Sequence, residues 1–228
     1  MKLAALFSGG KDSTFAIMEA IKSGHEVTHL ITMAPERDDS YMFHYPCIDL
    51  TRMQAEVMGI KQVWKETVGD KESELVDLRD AISSLKGQID GVLSGAVSSE
   101  YQKSRIDGMC RQLEIQSVTP LWGRDPYDLM KEEASSMDIM ITAVSTNGLD
   151  KNWLGRKIST PVVEELRMLA QKVHFNIQFE GGEAETFVTN SPLFSKRIVV
   201  GDYEKVWDTR TSSGYIRAKN VKLAPKKI

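Results

Sequence analysis

Apolar and polar residues alternate along the first half of the chain in two rhythms. Residues 2–7, KLAALF, form an unbroken apolar run of strand length, the pattern of a strand covered on both faces. The following STFAIMEAIKSG has helical spacing, with Ser13 placed to cap its start and Gly24 just past its end. EVTHLITM predicts a second strand, LTRMQAEVMG a helix and KQVWKE a short strand. In ESELVDLRDAISSLKG, Leu75, Leu78, Ile82 and Leu85 recur at three- and four-residue steps, one apolar helical stripe with charge opposite. IDGVLSGA predicts a strand ending in small residues, and SEYQKSRIDGMCRQL a helix.

Strands alternating with helices predict an α/β fold with a doubly wound parallel sheet, joined by right-handed crossovers. Ligands in such sheets bind at the carboxyl ends of the strands. The glycine turn after the first strand, the segment after Met33 and the SGAVSSEYQ segment all leave strands at that edge. Past residue 124 the rhythm changes. IMITAV predicts one more strand, and Thr160 with Pro161 opens a helix over TPVVEELRMLAQKVH. FNIQF, TFVTN, KRIVVG, YEKVWDT and YIRAKNVKL follow as short alternating stretches divided by turn residues. The expectation is two domains, residues 1–124 and a smaller α+β lobe over 125–228.

Composition changes this picture little. The 228 residues are 41% hydrophobic and 27% charged, with a net charge of -3, which offers no broad cationic surface for a long nucleic acid. Cys47 and Cys110 are far apart, in no CxxC and no zinc-spaced cluster. No apolar run approaches the roughly 18 residues of a membrane span. A cytoplasmic chain with two reduced thiols is expected.

The candidate chemistry lies in SGGKDS, residues 8–13, between a strand and a helix. Gly9 and Gly10 let the backbone approach an anion, and the N–H groups opening the helix point at it. Lys11 adds charge. Asp12 beside phosphates requires an intervening cation, so it implies Mg²⁺, which takes one carboxylate together with phosphate oxygens. The spacing fits neither a Walker A loop nor GxGxxG. The bland alternative is a glycine turn ahead of a capped helix.

SGGKDS resembles the PP-loop of the N-type ATP pyrophosphatases. There the loop holds the β- and γ-phosphates, which leave as pyrophosphate while the α-phosphorus is attacked. DSYMFHYP (39–46), GAVSSEYQKSRID (95–107), PLWGRD (120–125), WLGR (153–156) and FEGGEAETFV (179–188) extend the likeness over nearly the whole chain. Together they resemble the diphthine–ammonia ligase family. The resemblance implies an adenine nucleotide α-hydrolase-like (HUP-type) first domain. It implies a C–N ligase that amidates diphthine on translation elongation factor 2, using ATP and ammonium and releasing AMP and pyrophosphate through an acyl-adenylate. It places Ser8, Gly9, Gly10, Lys11, Asp12, Ser13 and Gly95 around the phosphates, Thr32 and Met33 beside adenine, and His44 near the α-phosphate. It puts Tyr101, Gln102, Arg105, Glu180, Gly181, Gly182, Glu183 and Glu185 toward the substrate. Lys11, Asp12, His44 and Glu183 are its catalytic candidates, and Asp12 its metal ligand.

On physical grounds the acidic turn could hold ammonium or face the trimethylammonium group of diphthine, since both are cations. Read alone, it is equally a solvated hairpin turn, just as Tyr101 and Arg105 are equally ordinary helix surface and His44 a satisfied loop histidine. Phe179 stands where a small residue, usually glycine, is expected, and Ala184 where an aromatic is commoner. Two other functions compete. A tRNA-thiolating enzyme of the same superfamily commonly uses a cysteine pair, and these two cysteines do not form one. A non-catalytic nucleotide sensor leaves Asp12 and the acidic turn without a task. No segment resembles a glutaminase, and residue 2 is lysine rather than a processed cysteine. Ammonium chloride alone should therefore support full AMP release; a need for glutamine and an added amidotransferase would contradict this.

Overall fold

The structure is a computed structural model that describes residues 1–35, 47–67 and 71–226. The chain divides into two compact units, one of Met1–Ser8 and Asp12–Trp122, the other of Gly9–Lys11 and Gly123–Ile228.

The first unit contains β1 (Lys2–Leu6), α1 (Lys11–Lys22, its first residue grouped with the other unit), β2 (Glu26–Pro35), α2 (Thr51–Met58), β3 (Lys61–Thr67), α3 (Lys71–Ser83), β4 (Gly91–Leu93), α4 (Glu100–Leu113) and β5 (Gln116–Val118). The strands form one parallel sheet in the order β3-β2-β1-β4-β5. β1 lies at its centre, which is why Leu3, Ala4 and Ala5 are all buried. Ala4, Ile31 and Val92 on one face pack against Ala81 and Ile82 of α3, Leu85 just past it, and Ile106 and Cys110 of α4. On β2 and β3, polar side chains lock neighbouring segments together. The Thr32 hydroxyl donates to the Phe7 carbonyl at 2.8 Å, and the Gln62 amide donates to the hydroxyls of Thr32 (2.8 Å) and Thr51 (2.9 Å). Each bond satisfies a group that burial would otherwise leave costly.

The second unit contains α5 (Pro126–Ser136), β6 (Asp138–Val144), β7 (Lys157–Ile158), α6 (Thr160–Val173), β8 (Ala184–Asn190), β9 (Arg197–Val200), β10 (Tyr203–Asp208), β11 (Ser213–Ala218) and β12 (Val221–Ala224). One antiparallel sheet runs β10-β11-β6-β7, with β8 also paired to β6, and β9 pairs with β12 apart from it. The α/β reading with an α+β lobe holds. No described helix is long and apolar enough to cross a membrane.

Several local expectations differ from the structure. Ser13 does not cap α1: Gly9, at φ 79°, turns the chain so early that the helix opens at Lys11. The Ser13 hydroxyl lies instead 3.4 Å from that of Ser8. FNIQF is a turn, not a strand. Its Asn176 side chain accepts from the Gln178 N–H at 2.9 Å, and the Phe179 N–H donates to the Asn176 carbonyl at 2.9 Å, so the chain curls despite its alternating pattern. α5 was not legible from periodicity, although Asp125 caps it through the N–H groups of Tyr127 (3.0 Å) and Asp128 (2.9 Å) and Pro126 opens it. The short strands β5 and β7 also escape a periodicity reading, having three and two residues.

Gly91 marks a tight point of the sheet. A Cβ there would lie 2.7 Å from the Gln116 carbonyl oxygen and 3.2 Å from a Leu3 methyl. Gly91→Ala should destabilise the chain by about 1–3 kcal/mol through this overpacking, read as a lower urea midpoint.

Candidate functional site

In the first unit, the segment after β4 reaches the first turn of α1. A Cβ on Gly95 would lie 2.8 Å from the Asp12 carbonyl carbon and 2.9 Å from the Ser13 nitrogen, so only glycine lets this backbone lie against the first turn of the helix. Asp12 is half-buried and Ser8 exposed. Thr32 is fully buried and tied to Phe7 and Gln62, and Met33 packs against the cluster beneath α3 and α4. On α4, the Arg105 guanidinium lies 3.3 Å from the Tyr101 ring centroid and donates to the Tyr101 carbonyl at 3.3 Å. Arg105 also lines a groove of about 250 Å³ with Leu75, Val76 and Arg79 of α3. The Gln102 N–H is taken by the capping hydroxyl of Ser99 at 3.4 Å. The structure thus joins Tyr101 to Arg105, and Gly95 to Asp12.

In the second unit, the three loop residues Gly9–Lys11 meet β8 and the turn ahead of it. The Val188 N–H donates to the Gly9 carbonyl at 3.0 Å, and the Lys11 N–H donates to the Thr186 hydroxyl at 3.2 Å. The Lys11 ammonium donates to the Gln178 carbonyl at 3.0 Å and to the Gln178 side-chain oxygen, and pairs with the Glu133 carboxylate at 3.5 Å. Lys11 is 1% exposed and Glu133 0%. The Gln178 amide donates onward to the Pro126 carbonyl at 2.9 Å.

The acidic turn is built around Glu183. One carboxylate oxygen accepts from the Asn176 N–H at 3.0 Å, the other from the Gly181 N–H at 2.9 Å. The Ser145 N–H donates to the Glu183 carbonyl at 2.9 Å, and its hydroxyl donates to the Gly182 carbonyl. Gly182 has φ 80° and Phe179 φ 66°. A left-handed residue other than glycine costs roughly 1–2 kcal/mol, which explains why a small residue is expected at position 179. Glu180, Glu183 and Glu185 are half-buried, and Gly181 and Gly182 exposed.

His44 lies outside the described residues. The residues that sequence reasoning missed are Glu133, Gln178, Thr186 and Asn176, all of which contact the loop or the turn. Their one available signal was a glutamate, Glu133, four positions after Leu129 on the apolar face of a helix opened by Asp125 and Pro126.

Neither cysteine forms a disulfide. Burial pushes the Cys47 thiol up to about 12. Burial, followed by the charge of Asp107, pushes Cys110 up to about 11. Both are thiols, not thiolates, near neutral pH and so poor nucleophiles, which weighs against persulfide chemistry.

A family described as the diphthamide synthase N-terminal domain matches residues 1–117, and one described as its C-terminal domain matches 125–223. A mouse diphthine–ammonia ligase is 32% identical over 99% of this chain and 94% of its own length. The human protein of that name is 32% identical over 90% of this chain and 85% of its own. The fission yeast protein of that name is 30% identical over 96% of this chain but only 39% of its own length. A crystal structure described as a predicted subunit of a tRNA methyltransferase from Methanocaldococcus jannaschii has 17% identity and a TM-score of 0.48 over 84% of this chain. With both family domains matched in order and a curated relative aligned almost end to end, the chain belongs to the diphthamide synthase family.

Proposed function

We propose that this chain is an AMP-forming diphthine–ammonia ligase that amidates the diphthine carboxylate of translation elongation factor 2. The observation that carries the reading is the alignment with the mouse ligase across 99% of the chain, which includes both the glycine turn and the acidic turn.

The chemistry of the residues supports it. α1 opens directly from a glycine turn at the carboxyl edge of a parallel sheet, and its first N–H groups and dipole favour an anion there. Among the described residues no group of three or more acidic, histidine or cysteine side chains could hold a metal. Magnesium suits this donor set because it binds through one carboxylate plus phosphate oxygens and water. Asp12 would supply that carboxylate, and bound magnesium would neutralise charge on the departing diphosphate. In the reaction, a diphthine carboxylate oxygen bonds to the α-phosphorus as the bond to pyrophosphate breaks. Ammonia then adds to the acyl carbon, gives up a proton, and AMP leaves with the C–O electron pair. The half-buried carboxylates of the acidic turn favour the cations of this reaction, ammonium or the trimethylammonium of diphthine.

The test is to mix the chain with ATP, magnesium, ammonium and diphthine-bearing elongation factor 2. AMP should form one-for-one with a small mass loss on the factor, and EDTA should stop it; ADP in place of AMP would remove the reading. Asp12→Asn should abolish turnover. Gly95→Ala, whose new methyl must push the first turn of α1, should raise the KM for ATP at least several-fold while leaving the fold intact by circular dichroism.

A further inference from the structure

A lysine ammonium has three N–H donors and no acceptor. At Lys11 two acceptors take hydrogen bonds from it, the Gln178 carbonyl at 3.0 Å and the Gln178 side-chain oxygen, and Glu133 forms an ion pair with it at 3.5 Å. Amine and carboxylate are both buried. Such a pair survives burial only when its geometry and further hydrogen bonds offset the loss of water, and removing one partner strands the other charge. The Phe179 ring centroid lies 5.9 Å from the ammonium, within the range of a cation–π contact. The backbone of the same stretch is fastened too, Gly9 by Val188 and Lys11 by Thr186. Loop residues 9–11 are therefore stitched to β8 and to the residues that lead into the acidic turn.

We propose that Lys11 is a positioning residue, not a phosphate ligand. Its ammonium, held by Glu133 and Gln178, fixes the glycine loop against the start of the acidic turn, and Glu133 and Gln178 act on nucleotide binding through it. The charge of the phosphates then falls to the dipole of α1 and to the cation at Asp12. This rests on the loop binding ATP, as the functional reading requires.

The test is a double-mutant cycle on the full chain with Lys11→Met, Glu133→Gln and the pair combined. Thermal stability is measured alongside MgATP affinity by calorimetry, well below the melting temperature. Each single change takes from a buried charge its opposite at 3.5 Å; the combined change removes both charges. Each single variant should lose stability and bind MgATP roughly tenfold more weakly, a size typical of coupling within one network. The double variant should recover most of both. A double variant that regains stability but still binds as weakly as Lys11→Met would show the lysine charge acting on phosphate directly, overturning the proposal. So would singles that lose stability but keep parental affinity, because the pair would then serve the fold alone. If the parent binds no MgATP, the functional reading fails, while recovery of stability in the double variant still reports whether the buried pair exists.

Discussion

The buried ion pair between Lys11 and Glu133 is the constraint around which the loop chemistry is arranged. A charge with almost no exposure must be answered locally, and the answer here draws a residue of the glycine turn, a helix and the approach to the acidic turn into one hydrogen-bonded knot. Glu133 lies near the end of α5, and Gln178 also reaches back to Pro126 at the start of that helix. The helix is thereby gripped at both ends by the same network. Its Asp125 cap and Pro126 opening set where the helix starts, and so where Glu133 falls.

The two turns differ in what holds them. The glycine turn depends on backbone freedom: Gly9 takes a left-handed φ, and Gly95 permits a contact that no side chain could share. The acidic turn depends on a side chain, because the Glu183 carboxylate takes two backbone N–H groups and closes the curve from within. Glu183 thus shapes the place where its neighbours Glu180 and Glu185 are presented. A carboxylate that builds a turn and one that faces solvent look identical in a sequence.

Much of the first unit was legible because its signals are local and repeated. Apolar runs, helical stripes and glycines at helix ends, such as Gly24 and Gly59 in the left-handed region, each agree with the parallel sheet. The second unit was harder. FNIQF has the alternation of a strand, yet Asn176 offers its side chain to the backbone two residues on, and local hydrogen bonding prevails over pattern. The glycine turn between β1 and α1 could be read from six residues. The partners of Lys11 could not, because Glu133 is 122 positions away in sequence and only the fold brings it near. The sequence shows a lysine beside paired glycines; the buried contacts of its ammonium appear only in the fold.

The seclusion of Lys11 also bears on how the chain could be controlled. Transferases that acetylate or methylate lysine must seize an amine that projects into solvent, and this one is 1% exposed and turned inward onto Gln178 and Glu133. The most conspicuous lysine of the loop is thus shielded from enzymatic tagging for as long as the fold persists, and any covalent control of activity would have to fall on other side chains.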